Sequence, residues 1–251
     1  VWFRKRNILT FILLILFIYI SMKLTEFDLT KFSNFRNMID FMSQWFPVNY
    51  SNLPDVLRDT LETLAMAFLG SLFGLVLALP LSFAAARNTA PSRFIYQFSR
   101  VFLSIVRSIP EIVFGLILLT SLGLGPFPAV LAIMFHNIGV FGKLISELIE
   151  AADPGPQEAM KAVGATSWLA SLFSILPQIW PNVLSHYFYR FEVAIRTSLI
   201  LGFIGGGGIG QRLFNDFKTF QYPSVSLDVI VIMIMVIVVD FFGSYVRNRV
   251  I

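Results

Sequence analysis

The chain has no cysteine and only two histidines, His136 and His186, among its 251 residues. Without thiols there is neither a disulfide framework nor a thiolate metal site, and two histidines so far apart in sequence give no metal cluster. Charge is scarce as well: Asp, Glu, Lys and Arg make up 14% of the chain against 56% hydrophobic residues, with a mean hydropathy of +0.75. So little polar surface excludes a soluble globule of this length and points to a single polytopic membrane protein. No internal repeat or low-complexity linker divides it. The net charge of +4 is spread among apolar stretches, which fits membrane topology and not nucleic-acid binding.

A hydrocarbon core about 30 Å thick requires about 20 helical residues to cross. Six stretches meet that length, near 7–24, 57–86, 97–122, 127–149, 178–203 and 226–246. The first follows Arg4, Lys5 and Arg6, as a signal peptide would, but no small-x-small cleavage site follows Tyr19-Ile20-Ser21-Met22, so an uncleaved anchor is expected. With that end inside, the inner segments carry ten basic residues (Arg4, Lys5, Arg6, Arg87, Arg93, Arg100, Lys143, Lys161, Arg247, Arg249) and the outer ones six (Lys23, Lys31, Arg36, Arg58, Arg212, Lys218). The positive-inside bias therefore predicts that both termini are cytoplasmic. Residues 1–52 read as an anchor helix with an outer segment, and 53–251 as the transmembrane core. Residues 25–54 are polar with scattered Phe27, Phe32, Phe35, Phe41 and Phe46; they fit a lid or interfacial helix, or a connector at headgroup level.

Two spans carry residues that are costly in a membrane. Arg107 and Glu111 lie four apart around Pro110, and Glu192 and Arg196 four apart in YRFEVAIRTS, so each pair can meet on one helix face. Arg190 has no such partner and must find water, a lipid headgroup or a carboxylate on another helix. All five residues can line a cationic path for an anion; interhelical or interfacial pairing is the alternative. His136-Asn137 reads as interhelical packing, and Pro110 as a kink. Gly205-Gly206-Gly207-Gly208-Ile209-Gly210 satisfies G-x-G-x-x-G, yet it follows a membrane span and has no βαβ context, so it reads as a sharp outer turn with close backbone approach. Gly142-Lys143 lacks the first glycine and the following Ser or Thr of a phosphate-binding loop, so this chain has no ATPase site of its own.

Between Asp153 and Pro181 the apolar pattern is interrupted by DPGPQEAMKAVGATSWLASLFSILPQIWP. Asp153 can cap a short helix whose first turn accepts Pro154 and Pro156, with Ala159, Met160 and Val163 on its apolar face and Gly164 at its end. Thr166 or Ser167 can cap a second helix running toward Pro177. The order Glu158-Ala159-Met160, three residues, Gly164, then Ile175-Leu176-Pro177 resembles the EAA motif of ATP-binding-cassette importer permeases. Met160 replaces the family's second alanine, and Ile175 falls one place later than usual. The likeness to the phosphonate permeases extends over about 53–250, through LETLAMAFLG, AARN, RSIPEIVFGL, GLGPFPAVLA, IEAADPGPQEA, LPQIWPNVLSHYFYRFEVAIR and GFIGGGGIGQ.

The resemblance implies an all-α polytopic protein of the type I importer permease class, with about six transmembrane helices and a cytoplasmic coupling helix within 153–176. It implies that Glu158, Ala159, Lys161 and Gly164 couple the chain to a cytoplasmic ATPase dimer, which binds the ATP and magnesium, while this chain holds no cofactor. It further implies a homodimer in the bacterial inner membrane, fed by a periplasmic substrate-binding protein, that imports phosphonate, phosphite, a phosphate ester or phosphate by alternating access. A methionine-type amino-acid importer is the nearest alternative. An ion-coupled secondary carrier would have no use for the EAA-like segment, and an intramembrane enzyme would need a nucleophile or metal near His136 or His186, for which there is no paired motif.

Overall fold

A computed structural model describes residues 5–30 and 35–250; Arg4, Lys31 and Phe32 lie outside the described residues. The regular structure among these residues is entirely helical, and the chain divides into Val1–Phe46 and Pro47–Ile251. In the first unit, α1 (Lys5–Leu24) is apolar on every side from Ile8 onward. The shorter α2 (Phe35–Ser43) places Phe35, Met38, Ile39 and Met42 on one face, the pattern of an interfacial helix rather than of an irregular connector. Residues 47–52 belong with the core: Asn49 N–H donates to Pro223 O at 3.1 Å, and Val48 packs against buried side chains of the second unit.

The second unit contains α3 (Leu53–Ala84), α4 (Arg93–Ser108), α5 (Glu111–Leu122), α6 (Pro126–Ala151), α7 (Pro154–Ala162), α8 (Ser167–Phe203), α9 (Gly208–Lys218) and α10 (Tyr222–Val250). α3, α6 and α10 match the expected spans to within a few residues. The expected continuous span 97–122 does not exist. Pro110 lacks an N–H and forces Ile109 into extended backbone (φ −82°, ψ 120°), so α4 and α5 meet at 82°. The expected interruption at Pro177 is also absent, since α8 continues through Pro177 and Pro181 for 37 residues. Membrane helices tolerate proline; beside Pro177 the Ser174 hydroxyl donates to Ala170 O and Gln178 Nε2 to Ser174 O, each one turn back in the same helix.

Lipid gives helices no hydrophobic reason to associate, so close contact depends on small residues. α3 lies against α6 at Gly70 and Gly74, where an added Cβ would stand 2.7 Å from Ile133 and 2.6 Å from Asn137. α4 meets α6 at Gly139 and Gly142 in the same way. Buried hydroxyls of Thr60, Ser82 and Ser198 donate to carbonyls of their own helices, so they pack in apolar surroundings without unpaired groups. The buried side chains form two large apolar clusters. One, around Met66, Ile133, Ala194 and Leu201, lies toward the glycine run; the other, around Leu75, Phe141, Ile145 and Val183, lies toward α7.

A Cβ at Gly139 would meet the Arg107 backbone nitrogen at 2.6 Å, whereas one at Gly243 would have only Arg247 Nη1, at 3.8 Å. Gly139→Val is therefore expected to destabilise the purified chain by about 1–3 kcal/mol. Gly243→Ala should leave thermal unfolding in detergent unchanged.

Candidate functional site

The two apolar clusters are separated by a polar layer at the height of Ser71, Asn137 and Arg190. Arg190 is 8% exposed, so its charge depends on protein partners. Its Nη2 donates to Glu111 Oε1 at 2.7 Å and to Asn137 Oδ1 at 2.7 Å, and its Nε donates to the same Asn137 oxygen at 2.9 Å. Asn137 Nδ2 in turn donates to Ser71 Oγ on α3 at 3.4 Å. Glu111 opens α5, where the helix dipole favours a carboxylate, and its second oxygen accepts the Thr197 hydroxyl of α8. His136 Nδ1 lies 3.0 Å from Ile109 O, a carbonyl at the break, and its Nε2 3.5 Å from Glu111 Oε1. Four helices are thus tied together at the bend.

The sequence paired Arg107 with Glu111, and the structure corrects this. The 82° bend carries their helices apart in direction, Glu111 turns to Arg190 and His136, and Arg107 stays exposed. Arg190 does find a carboxylate on another helix. Glu192 pairs with Arg196 along α8 and also lies 3.9 Å from Arg247 Nη1 on α10, while the Arg196 side chain remains 55% exposed. Asn137, His136 and Thr197 complete the layer. The sequence reads the first two only as packing residues, and it offers no local signal for Thr197, whose partner lies 86 positions away.

At one end of the bundle, α7 is fastened by polar contacts. Asp153 accepts from Gly155 N–H at 2.9 Å, Gln178 Oε1 accepts from Asp153 N–H at 3.1 Å, and buried Gln157 donates to Ser171 Oγ at 2.8 Å. Of the apolar face of Ala159, Met160 and Val163, Met160 is half-buried, Ala159 is exposed, and Val163 is 82% exposed. Glu158, Lys161 and Gly164 are exposed as well. Gly164 has φ +90° with nothing within 4 Å of an added Cβ, so only backbone strain opposes substitution there.

At the opposite end the glycine run makes the turn from α8 into α9, with positive φ at Gly205, Gly207 and Gly208. Gly206 and Gly210 instead permit close approach; a Cβ on Gly210 would fall 2.3 Å from Leu199 O. Glu62 accepts from Gly208 N–H at 3.1 Å, and Thr63 from Ile209 N–H at 3.0 Å, which pins the turn to α3. Beside it, Arg212 reaches Asp59 at 2.9 Å and approaches fully buried Asp228 at 3.6 Å. Sequence reasoning passed over Asp59, Glu62 and Asp228, although a lone acid such as Asp228 in an otherwise apolar span is itself a signal.

The family described as the binding-protein-dependent transport system inner membrane component matches residues 70–251. The chain belongs to that family. The phosphite transport system permease protein PtxC of Stutzerimonas stutzeri is 38% identical over 203 residues, covering 81% of this chain and 74% of that one. The phosphate-import permease protein PhnE of Mycolicibacterium smegmatis is 32% identical over 212 residues, covering 84% of this chain and 40% of that one. Among solved structures, a chain of the MetNI methionine ABC transporter in an inward-facing conformation matches with a TM-score of 0.70 at 21% identity, over 81% of this chain and 100% of that one. The fold is that of the type I importer permeases, and the chain is a multi-pass inner-membrane component.

For this permease the buried layer sets a stability test. Removing one member of a buried ion pair strands the other and costs about 3–5 kcal/mol, whereas apolar replacement of both is often close to neutral. Arg190→Met alone is expected to destabilise the chain by that amount, and Arg190→Met with Glu111→Leu to recover most of it in detergent unfolding.

Proposed function

We propose that this chain is the permease subunit of an ATP-driven importer that moves a phosphorus oxyanion, phosphite, phosphonate or phosphate, inward across the membrane. The observation that carries this reading is α7: a helix clamped to α8 by Gln157 and Gln178 that leaves Glu158, Ala159, Lys161 and Val163 facing outward. An exposed apolar side chain next to charged ones, rigidly held, has the character of a docking surface. It is the surface for a cytoplasmic ATPase that binds ATP and magnesium, since this subunit supplies no ATPase site. A homodimer fits the two-fold axis of an ATPase pair, and a periplasmic binding protein delivers the ligand at the glycine-run end. Both termini are then cytoplasmic. Relatives named for phosphite and phosphate at 38% and 32% identity favour an oxyanion over methionine, whose permease relative is 27% identical over 190 residues.

In the mechanism, ATP closes the nucleotide-binding subunits, the two α7 helices move together, and the outer end opens to the docked binding protein. Arg107 and Arg196, exposed on α4 and α8, supply positive charge to the passing anion. Arg190 and Glu111 are saturated by one another and by neighbours here and act as the latch that reorganises with the bend, while Glu192 is held by Arg196 and Arg247. Gly205, Gly206, Gly207, Gly208 and Gly210 give the outer turn its shape. No covalent step takes place in the chain, and selection rests mostly with the binding protein.

Two substitutions test the docking surface. Glu158→Arg reverses an exposed charge, and Gly164→Val adds strain of about 1–2 kcal/mol without a clash. Both variants should insert and dimerise with normal yield yet lose most uptake of the oxyanion. Normal uptake by Glu158→Arg in a transport assay would contradict the reading.

A further inference from the structure

At the α7 end the loop between α3 and α4 forms two adjoining cavities of about 500 and 610 Å³ that share Arg87 and Tyr96. Arg93 and Ser92 line one, and Arg100, Asn88 and Glu150 the other. The loop is held rigidly. Arg87 N–H donates to Glu150 Oε1 at 2.8 Å, Asn88 Nδ2 to Ile149 O at 2.8 Å, and Thr89 Oγ1 to Phe83 O at 2.6 Å. Arg100 is neutralised by Glu150 at 2.9 Å and fixed by the Tyr96 hydroxyl at 2.7 Å. Among the described residues, neither the Arg87 nor the Arg93 guanidinium has a carboxylate in ion-pair range, so the cleft keeps an excess of two positive charges.

The next face of the same helix is apolar and open. Phe94, Phe98 and Phe102 stack along α4 with ring centroids 6.3 and 6.5 Å apart, all three exposed, with Val101 and Ile105 beside them. This ridge runs from the arginines toward the middle of the bundle. We propose that the cleft seats the headgroup of an anionic phospholipid, its phosphate on Arg87 and Arg93 and an acyl chain along Phe98, Phe102 and Ile105. Charge and hydrocarbon requirements meet side by side only for an amphiphile. A free phosphate ion would use the arginines and leave the ridge without a role, and an acidic protein segment would do the same. Arginine suits the headgroup because its planar fork binds phosphate oxygens in pairs. The inference is independent of the transported substrate and of the ATPase.

The test is lipid retention by the detergent-purified chain, followed by native mass spectrometry with phosphatidylglycerol or phosphatidylethanolamine added. The wild type should hold phosphatidylglycerol in preference, and Arg87→Gln with Arg93→Gln should weaken it about twenty-five-fold, a factor of about five for each cation lost near an anionic headgroup. Arg87→Lys with Arg93→Lys should retain most of the binding. Phe98→Ala with Phe102→Ala should weaken phosphatidylglycerol while leaving any binding of inorganic phosphate unchanged. Displacement of the lipid by millimolar inorganic phosphate, equal binding of the two lipids, or loss of ATPase assembly in the glutamine pair with lipid retention intact would each overturn the proposal.

Discussion

The constraint on which the rest depends is the break at Ile109–Pro110. Inside a bilayer a bent span exposes backbone groups that water cannot satisfy, and it survives only if neighbouring helices satisfy them. His136 of α6 reaches the Ile109 carbonyl at 3.0 Å, while Arg190 and Thr197 of α8 hold the carboxylate that opens the second half. Asn137 then links Arg190 to Ser71 on α3. The polar layer at mid-height is therefore the one that the break requires. A buried pair of this kind adds little net stability against an apolar replacement; what it fixes is the angle and register of the helices that meet there.

The same arrangement connects the two ends of the molecule. α8 is a single helix of 37 residues, about 55 Å at 1.5 Å per residue, which carries Gln178 near α7, Arg190 in the polar layer and Gly202 next to the glycine turn. In the proposed mechanism, the Gln157 and Gln178 tethers carry a displacement of α7 into α8. At its far end the turn is bonded to Glu62 and Thr63 of α3, so the motion reaches the opposite face. Long range here follows from one continuous element and needs no chain of small side-chain adjustments.

Much of this was legible in the sequence because bilayers impose simple rules. The spans of α3, α6 and α10, the Asp153 and Thr166 caps and the left-handed Gly164 all follow from local chemistry, and each is present. What failed was partner choice. Four-residue spacing placed Glu111 with Arg107 because that rule assumes an unbroken helix, and Pro110 removes the premise. Which side of α7 meets the bundle is not encoded in its periodicity: Gln157, a polar residue, is the buried one, and Val163 is left exposed. Proline acted differently at two sites: Pro110, read as a kink, opens into a full 82° break, whereas α8 continues through Pro177 and Pro181. Long-range pairs such as Glu111 with Thr197 leave no local trace.

The most direct measurement is ATP hydrolysis by the chain reconstituted in nanodiscs with its ATPase subunit, as the binding protein is added with phosphite, phosphonate, phosphate, methionine or no ligand. The account predicts stimulation by a phosphorus oxyanion and none by methionine. Stimulation by methionine alone would overturn the substrate class, and failure to assemble with any ATPase would contradict the account as a whole.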